Sequence, residues 1–203
     1  MQRSHRSPAS LRPLERDFYV RNTVRVAKDL LGKVLVRRLG AISLEGLIVE
    51  TEAYRGYDDV ASHAYRGPTR RNQVMFGEPG HAYVYFTYGM HYCLNVTTEP
   101  AGQAGAVLLR AVQPVKGIVE MKKRRGTEHV KDLSNGPAKL TQAFAVTKAL
   151  NGHDLTSGEK LYVAEPCHPE PFSISAGTRI GIRAGGEKPW RFFVSNNPFV
   201  SKC

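Results

Sequence analysis

The sequence predicts a single α+β domain, rich in strands and with helices on its flanks. Three observations carry that expectation. Two β-rich runs, Ala82-Tyr-Val-Tyr-Phe-Thr87 and His91-Tyr-Cys-Leu-Asn-Val-Thr97, flank Tyr88-Gly89-Met90, a hairpin signal with glycine at the turn. Only three segments read as helices, and most other apolar runs are short and bounded by turn residues. The 203 residues are 41% hydrophobic and 23% charged. That supports one packed core and argues against disordered, collagen-like or coiled-coil chains.

Residues 1–16 are polar, basic and proline-containing, and read as a flexible arm before a domain spanning 17–203. Asn22 or Thr23 can cap a helix in which Val24, Ala27, Leu30 and Leu31 share one face, and Gly32 ends it. Residues 34–39 read as a strand, and residues 44–54 as a longer one. Residues 55–81 show little periodicity, and a structureless stretch that long in a compact domain is usually functional. After the hairpin come a strand over 106–112 and helices over 115–125 and 137–150. Three short strands near 160–164, 179–183 and 190–195 complete the chain.

There are 29 Lys and Arg against 18 Asp and Glu, a formal charge of +11, which points to a polyanionic partner: nucleic acid first, an anionic membrane surface second. No apolar run approaches the ~18–20 residues of a membrane span, since Ala104-Gly-Ala-Val-Leu-Leu109 ends at Arg110. The N-terminus lacks the apolar stretch of a secretory signal. Three cysteines without a CxxC pair argue against a disulfide framework and for a reducing, cytoplasmic setting. No histidine pair has metal-ligand spacing with an acidic or cysteine partner, so neither metal nor cofactor is expected. GxSxG, P-loop and GxGxxG motifs are absent, which removes the commonest hydrolase, NTPase and dinucleotide readings.

Strand alternation places Leu47, Val49, Thr51 and Ala53 on one face and Glu50, Glu52 and Tyr54 on the other. Two carboxylates beside a tyrosine form either an ordinary solvated face or a buried general base. The Ile- and Val-rich setting, leading straight into the long loop, favours the second. Most aromatics of the hairpin fit core packing, but Tyr88 at the turn should project outward, where it can stack on bases or wedge between them. Tyr54 and Tyr85 could wall a pocket for a planar group. Arg110 reads equally as a surface arginine at a strand end or as a functional one. Lys122-Lys-Arg-Arg125 reads as a solvated helix end, and His63 taken alone as an ordinary loop histidine.

Taken together, Ile48-Val-Glu-Thr-Glu-Ala-Tyr54, Ala61-Ser-His63, Arg71-Asn72 with Met75-Phe76, Tyr83-Val-Tyr85 with Tyr88-Gly-Met90, Asn95, Val107-Leu-Leu-Arg110 and Gly136-Pro-Ala-Lys-Leu140 occur in the order expected of the alkyladenine (3-methyladenine) DNA glycosylases. The chain resembles that family from about Phe18 to Val200. The resemblance implies a curved antiparallel sheet with a protruding hairpin that inserts Tyr88 into the minor groove. It implies that Glu52 is the catalytic carboxylate and that Arg110 helps hold the attacking water. Tyr54, His63 and Tyr85 would sandwich the flipped base, Asn95 would obstruct the amino group of guanine, and the backbone near Ala61 and His63 would read the base edge. Met75, Thr69, Arg71, Met90 and Lys139 would contact DNA around the lesion. His91 departs from the family, where a tyrosine is expected. The expected activity is monofunctional: release of 3-methyladenine, 7-methylguanine, hypoxanthine or ethenoadenine from double-stranded DNA by a monomer, leaving an abasic site. Two rivals stand beside it. A non-catalytic DNA-distorting protein would need neither Glu52 nor Arg110. A glycoside hydrolase would need carboxylates flanking its substrate, not side by side on one strand.

Overall fold

The computed structural model describes residues 11–201, in which eight strands form one antiparallel sheet. In chain order the strands are β1 (Val34–Leu39), β2 (Ile42–Arg55), β3 (Ala82–Thr87), β4 (His91–Thr97), β5 (Gly105–Lys116), β6 (Leu161–Ala164), β7 (Ile174–Gly177) and β8 (Arg191–Val194). The sheet runs β3-β4-β5-β2-β1-β6. The long β2 is the hub. It pairs with β5 on one side, and on the other it pairs first with β1 and then, at Glu50–Glu52, with β8. The sheet curls into a half-barrel, in agreement with the α+β domain on a curved antiparallel sheet that the family resemblance implies. Four helices, α1 (Arg16–Tyr19), α2 (Thr23–Asp29), α3 (Ile118–Arg125) and α4 (Pro137–Ala143), flank it. The main core packs Leu30, Leu35, Leu44, Ile48, Leu109, Met121 and Phe144 between helices and sheet.

Local chemistry explains most boundaries. The Asn22 side chain caps α2 by accepting from the amides of Val24 and Arg25. In the hairpin turn the Met90 amide donates to the Thr87 carbonyl, and Tyr88 and Gly89 have φ of 51° and 68°. Two successive positive values match the type I′ turn that suits the twist of a tight hairpin.

Several expectations are corrected. The arm is not free over its whole length: residues 1–10 lie outside the described residues, but Pro13 bridges Ala164, Leu14 is buried, and Arg16 reaches Asp154 at 2.7 Å. The strand expected to stop at Val112 continues to Lys116. Pro114 is tolerated there because it sits opposite Gly46 at a register shift, where a ladder N–H is dispensable. The next helix therefore begins at Ile118 rather than Val115. The helix expected to reach Leu150 ends at Ala143, because Ala145 (φ 50°) closes it with Val146 N–H to Thr141 O and Ala145 N–H to Gln142 O. That is a Schellman ending without its usual glycine. Residues 179–183 form no strand; β7 lies at Ile174–Gly177 and pairs with β8.

The face assignment in β2 also changes. A bulge between Ile48 and Glu50 puts Ile48 in the core cluster that holds Ala53, while Leu47 packs on the opposite side with Val34 and Val36. A second shift places Arg110 as the extra residue of β5 between the partners of Glu50 and Thr51. Bulges re-aim side chains at the expense of local pairing, and these two bring Arg110 to Glu50 and Glu52.

Candidate active site

The solvated alternative for the acidic face is overturned, since Glu50 and Glu52 are both fully buried. Their environments differ sharply. Glu50 accepts four hydrogen bonds: Oε1 from Arg110 Nε (3.0 Å), Arg191 Nε (2.7 Å) and Ser201 Oγ (2.8 Å), and Oε2 from the Ser201 amide (2.7 Å). Glu52 Oε1 accepts from the Ile180 amide at 2.7 Å and lies 3.3 Å from Arg110 NH1. Its Oε2 accepts from the Tyr54 hydroxyl at 2.7 Å. Arg110 is likewise not a strand-end surface residue; it is 6% exposed in the middle of β5. Burial pulls its pKa down, but Glu52 and Glu50 together outweigh that and leave it raised, so it stays charged. Burial first, and the Glu52 carboxylate second, push the Tyr54 phenol upward, so it stays a hydroxyl donor.

A cavity of about 90 Å³ is lined by Tyr54, Ala61, His63, Met75, Tyr83, Tyr85, Asn95, Ala106 and Ile182, and Glu52 adjoins it through the hydroxyl of Tyr54. It thus gathers the four expected base-pocket side chains and Ala61. His63 Nδ1 is 2.9 Å from the Tyr83 hydroxyl, and its ring meets Tyr85 edge-on at 4.7 Å. Burial and the nearby Arg71 cation both lower the His63 pKa, which favours neutral imidazole. Burial raises Tyr83 to about 12. Asn95 is anchored through Nδ2 to the Tyr83 carbonyl at 3.0 Å.

The expected DNA-contacting residues fall in different places. Tyr88 (83% exposed) and Met90 (67%) stand at the hairpin tip. Arg71 lies over the Tyr85 ring at 5.1 Å. Thr69 donates from both its amide and its hydroxyl to Asn72 Oδ1. Buried Asn72 in turn donates to the carbonyls of His63 and Gly67, folding the long loop around the pocket. Met75, expected at the DNA surface, is instead 1% exposed and forms part of the pocket wall. Lys139 is not in the pocket; it sits on α4, with Nζ 2.8 Å from Asn135 Oδ1 and 3.3 Å from Asp132.

Sequence reasoning missed Ile180, whose amide holds Glu52, and Ile182 in the pocket wall. It also missed the buried pair behind them, Arg179 and Asp59, joined by two hydrogen bonds of 2.6 and 2.7 Å. The only available signal was an arginine opening an apolar run, which read as a strand. Among the described residues no group of three or more His, Cys, Asp or Glu could hold a metal ion, and no helix is long and apolar enough to cross a membrane.

The site combines a buried carboxylate 3.3 Å from an arginine, an aromatic pocket whose wall includes the tyrosine bonded to that carboxylate, and a hairpin that exposes a second tyrosine. Comparison with known proteins agrees with it. The family model for methylpurine-DNA glycosylase matches residues 17–198. A protein of Carboxydothermus hydrogenoformans named "Putative 3-methyladenine DNA glycosylase" is 56% identical over 191 residues, covering 93% of this chain and 98% of its own. A protein of the same name from Methanocella arvoryzae is 49% identical over 194 residues, covering 93% and 96%. The chain therefore belongs to the methylpurine-DNA glycosylase family, as a DNA-repair hydrolase that cleaves N-glycosidic bonds.

Proposed function

We propose that the protein acts as a monomer on double-stranded DNA and flips damaged purines out of the stack. It then hydrolyses the glycosidic bond with water activated by Glu52. The observation that carries this reading is the position of the Glu52 carboxylate: fully buried, and hydrogen-bonded to the tyrosine that lines the aromatic pocket. A base inside a duplex cannot be attacked at its glycosidic carbon, so it must leave the helix at a cost of a few kcal/mol. Tyr88 fills the gap. Its strained positive φ, uncommon for a non-glycine residue, and its exposure are explained by a ring presented for contact.

The substrate class follows from the pocket. Alkylation at N3 or N7 makes a purine cationic, hence a good leaving group that stacks well between the electron-rich rings of Tyr54 and Tyr85. A neutral His63 adds no repelling charge. Hypoxanthine and ethenoadenine fit the same slot but need protonation to leave. Asn95, fixed by the Tyr83 carbonyl, stands where the amino group of guanine would intrude, and the backbone at Ala61 and His63 reads the base edge. Glu52 orients and deprotonates the water and stabilises positive charge growing on the sugar, while Arg110 helps to hold the water. Water as nucleophile leaves an abasic site and an intact backbone. Thr69, Arg71, Met90 and Lys139 contact the DNA around the lesion, and Met75 supports the pocket from within.

The test is release of free base from a duplex carrying hypoxanthine or 3-methyladenine. Glu52→Gln should bind the lesion duplex as wild type does while release falls by ~10²–10⁴. Release by Glu52→Gln near the wild-type rate would sink the reading.

A further inference from the structure

The site contains a second buried ion pair that the chemistry described so far does not use. Arg179 and Asp59 are 4% and 1% exposed. Arg179 NH1 donates to Asp59 Oδ2 (2.6 Å) and to the Ala53 carbonyl (2.9 Å); NH2 donates to Asp59 Oδ1 (2.7 Å) and to the Gly185 carbonyl (2.7 Å). The guanidinium also lies 4.8 Å over the Tyr54 ring. Asp59 accepts in addition from the amides of Arg55 and Ala61. Three separate stretches of the pocket wall therefore meet at one pair: the end of β2 with Tyr54, the loop with Ala61, and the segment with Ile180 and Ile182.

We propose that Arg179, clamped by Asp59, is a positioning residue for base excision, fixing both oxygens of the Glu52 carboxylate through the Ile180 amide and the Tyr54 ring. The inference rests on Glu52 being the base. Each oxygen of Glu52 has one short hydrogen bond, to Ile180 N–H and to Tyr54 O–H, and Arg179 holds both donors. It is the residue preceding Ile180, and it covers the ring of Tyr54. Burying two opposite charges contributes little to stability compared with an apolar pair of similar volume. What an arginine adds here is a rigid planar fork with several donors, which sets directions. A carboxylate displaced by about 1 Å can cost on the order of 10²-fold in rate. The other groups near Glu52 are Arg110 on β5, 3.3 Å from its Oε1, and Cys93 on β4. Neither of them contacts the Ile180 segment in the way Arg179 does.

The test compares wild type, Arg179→Lys and the charge-neutral double variant Arg179→Met with Asp59→Asn on a hypoxanthine duplex. Single-turnover release and duplex affinity are measured separately. The double variant should release base about 10²-fold more slowly with affinity within about threefold of wild type. Arg179→Lys keeps the cation but lacks the fork, and should lose about tenfold in release measured well below its own melting transition. Release at the wild-type rate by Arg179→Lys overturns the proposal even if the double variant does not fold. A loss of release in proportion to affinity overturns it as well. Glu52→Gln, run alongside, separates the two ideas: if it excises normally, the base assignment itself has failed.

Discussion

Glu50 and Glu52 are two residues apart, equally buried and both in contact with Arg110, yet their hydrogen bonding predicts opposite phenotypes. Glu50→Gln removes a charge that faces Arg110 Nε, Arg191 Nε, the Ser201 hydroxyl and the Ser201 amide. Gln can still accept at one oxygen, but its amide nitrogen must then face a donor. Two guanidinium groups that are 6% and 8% exposed are left with one carboxylate fewer among them. Removing one partner of a buried ion pair costs about 3–5 kcal/mol. For a domain of this size each kcal/mol lowers the melting temperature by about 2–4 °C, so Glu50→Gln should melt roughly 6–20 °C below wild type. Base release measured well below that transition should fall far less than for Glu52→Gln, because Glu50 is bonded to Arg110, Arg191 and Ser201 and not to the tyrosine of the pocket wall. Thermal unfolding and single-turnover release at low temperature make the measurement. If Glu50→Gln melts within about 2 °C of wild type and loses release as Glu52→Gln does, the division of labour between the two carboxylates is refuted.

Tyr88→Ser should leave thermal stability unchanged, since the ring is 83% exposed, yet weaken lesion-duplex binding and flipping by roughly the unstacking cost of a few kcal/mol. The defect should shrink on single-stranded lesion DNA, and equal defects on both substrates would mean that the ring only supports the hairpin. Burial and Arg71 depress the His63 pKa in the folded state, so the unfolded chain takes up the proton more readily. Its share of stability is complete above about pH 6.5 and declines as the pH falls below that. The urea midpoint should therefore drop more between about pH 7.5 and about pH 5.5 for wild type than for His63→Gln, and parallel drops would contradict this. Lys139→Gln should reduce the slope of log affinity against log salt by about 0.9 without changing which base is released. An unchanged slope would remove Lys139 from the DNA contact.

The sequence was most readable where one residue decides a local geometry. The hairpin strands and β1 follow from β-rich runs bounded by turn residues, with bounds that agree, and of the two cap candidates Asn22 is the one used. Legibility failed where partners are distant in the chain. Nothing near Ile48 signals a bulge, because the extra residue is accommodated by β5 some sixty positions on; the face of Leu47 was misjudged for that reason. Ala145 closes a helix in a conformation normally given to glycine, so the stop signal was silent. Arg179 lies 120 residues from Asp59, and without that partner an arginine before Ile-Gly-Ile looks like the start of a strand. The pocket residues were found through resemblance and aromatic pattern. The Ile180 amide could not be, since a backbone donor has no residue type.

The hub position of β2 also has a kinetic consequence. At Glu52 the strand is laddered to Leu108 on one side and to Arg191 on the other, so its amides belong to the part of the molecule that opens only on global unfolding. The hairpin tip, with Tyr88 and Met90 in solvent, belongs to the part that opens most easily. Hydrogen exchange should show the two at opposite ends of the protection range. The exposed hairpin tip can thus move without disturbing the ladder that holds the buried carboxylate, so the two parts of the site are mechanically insulated from each other.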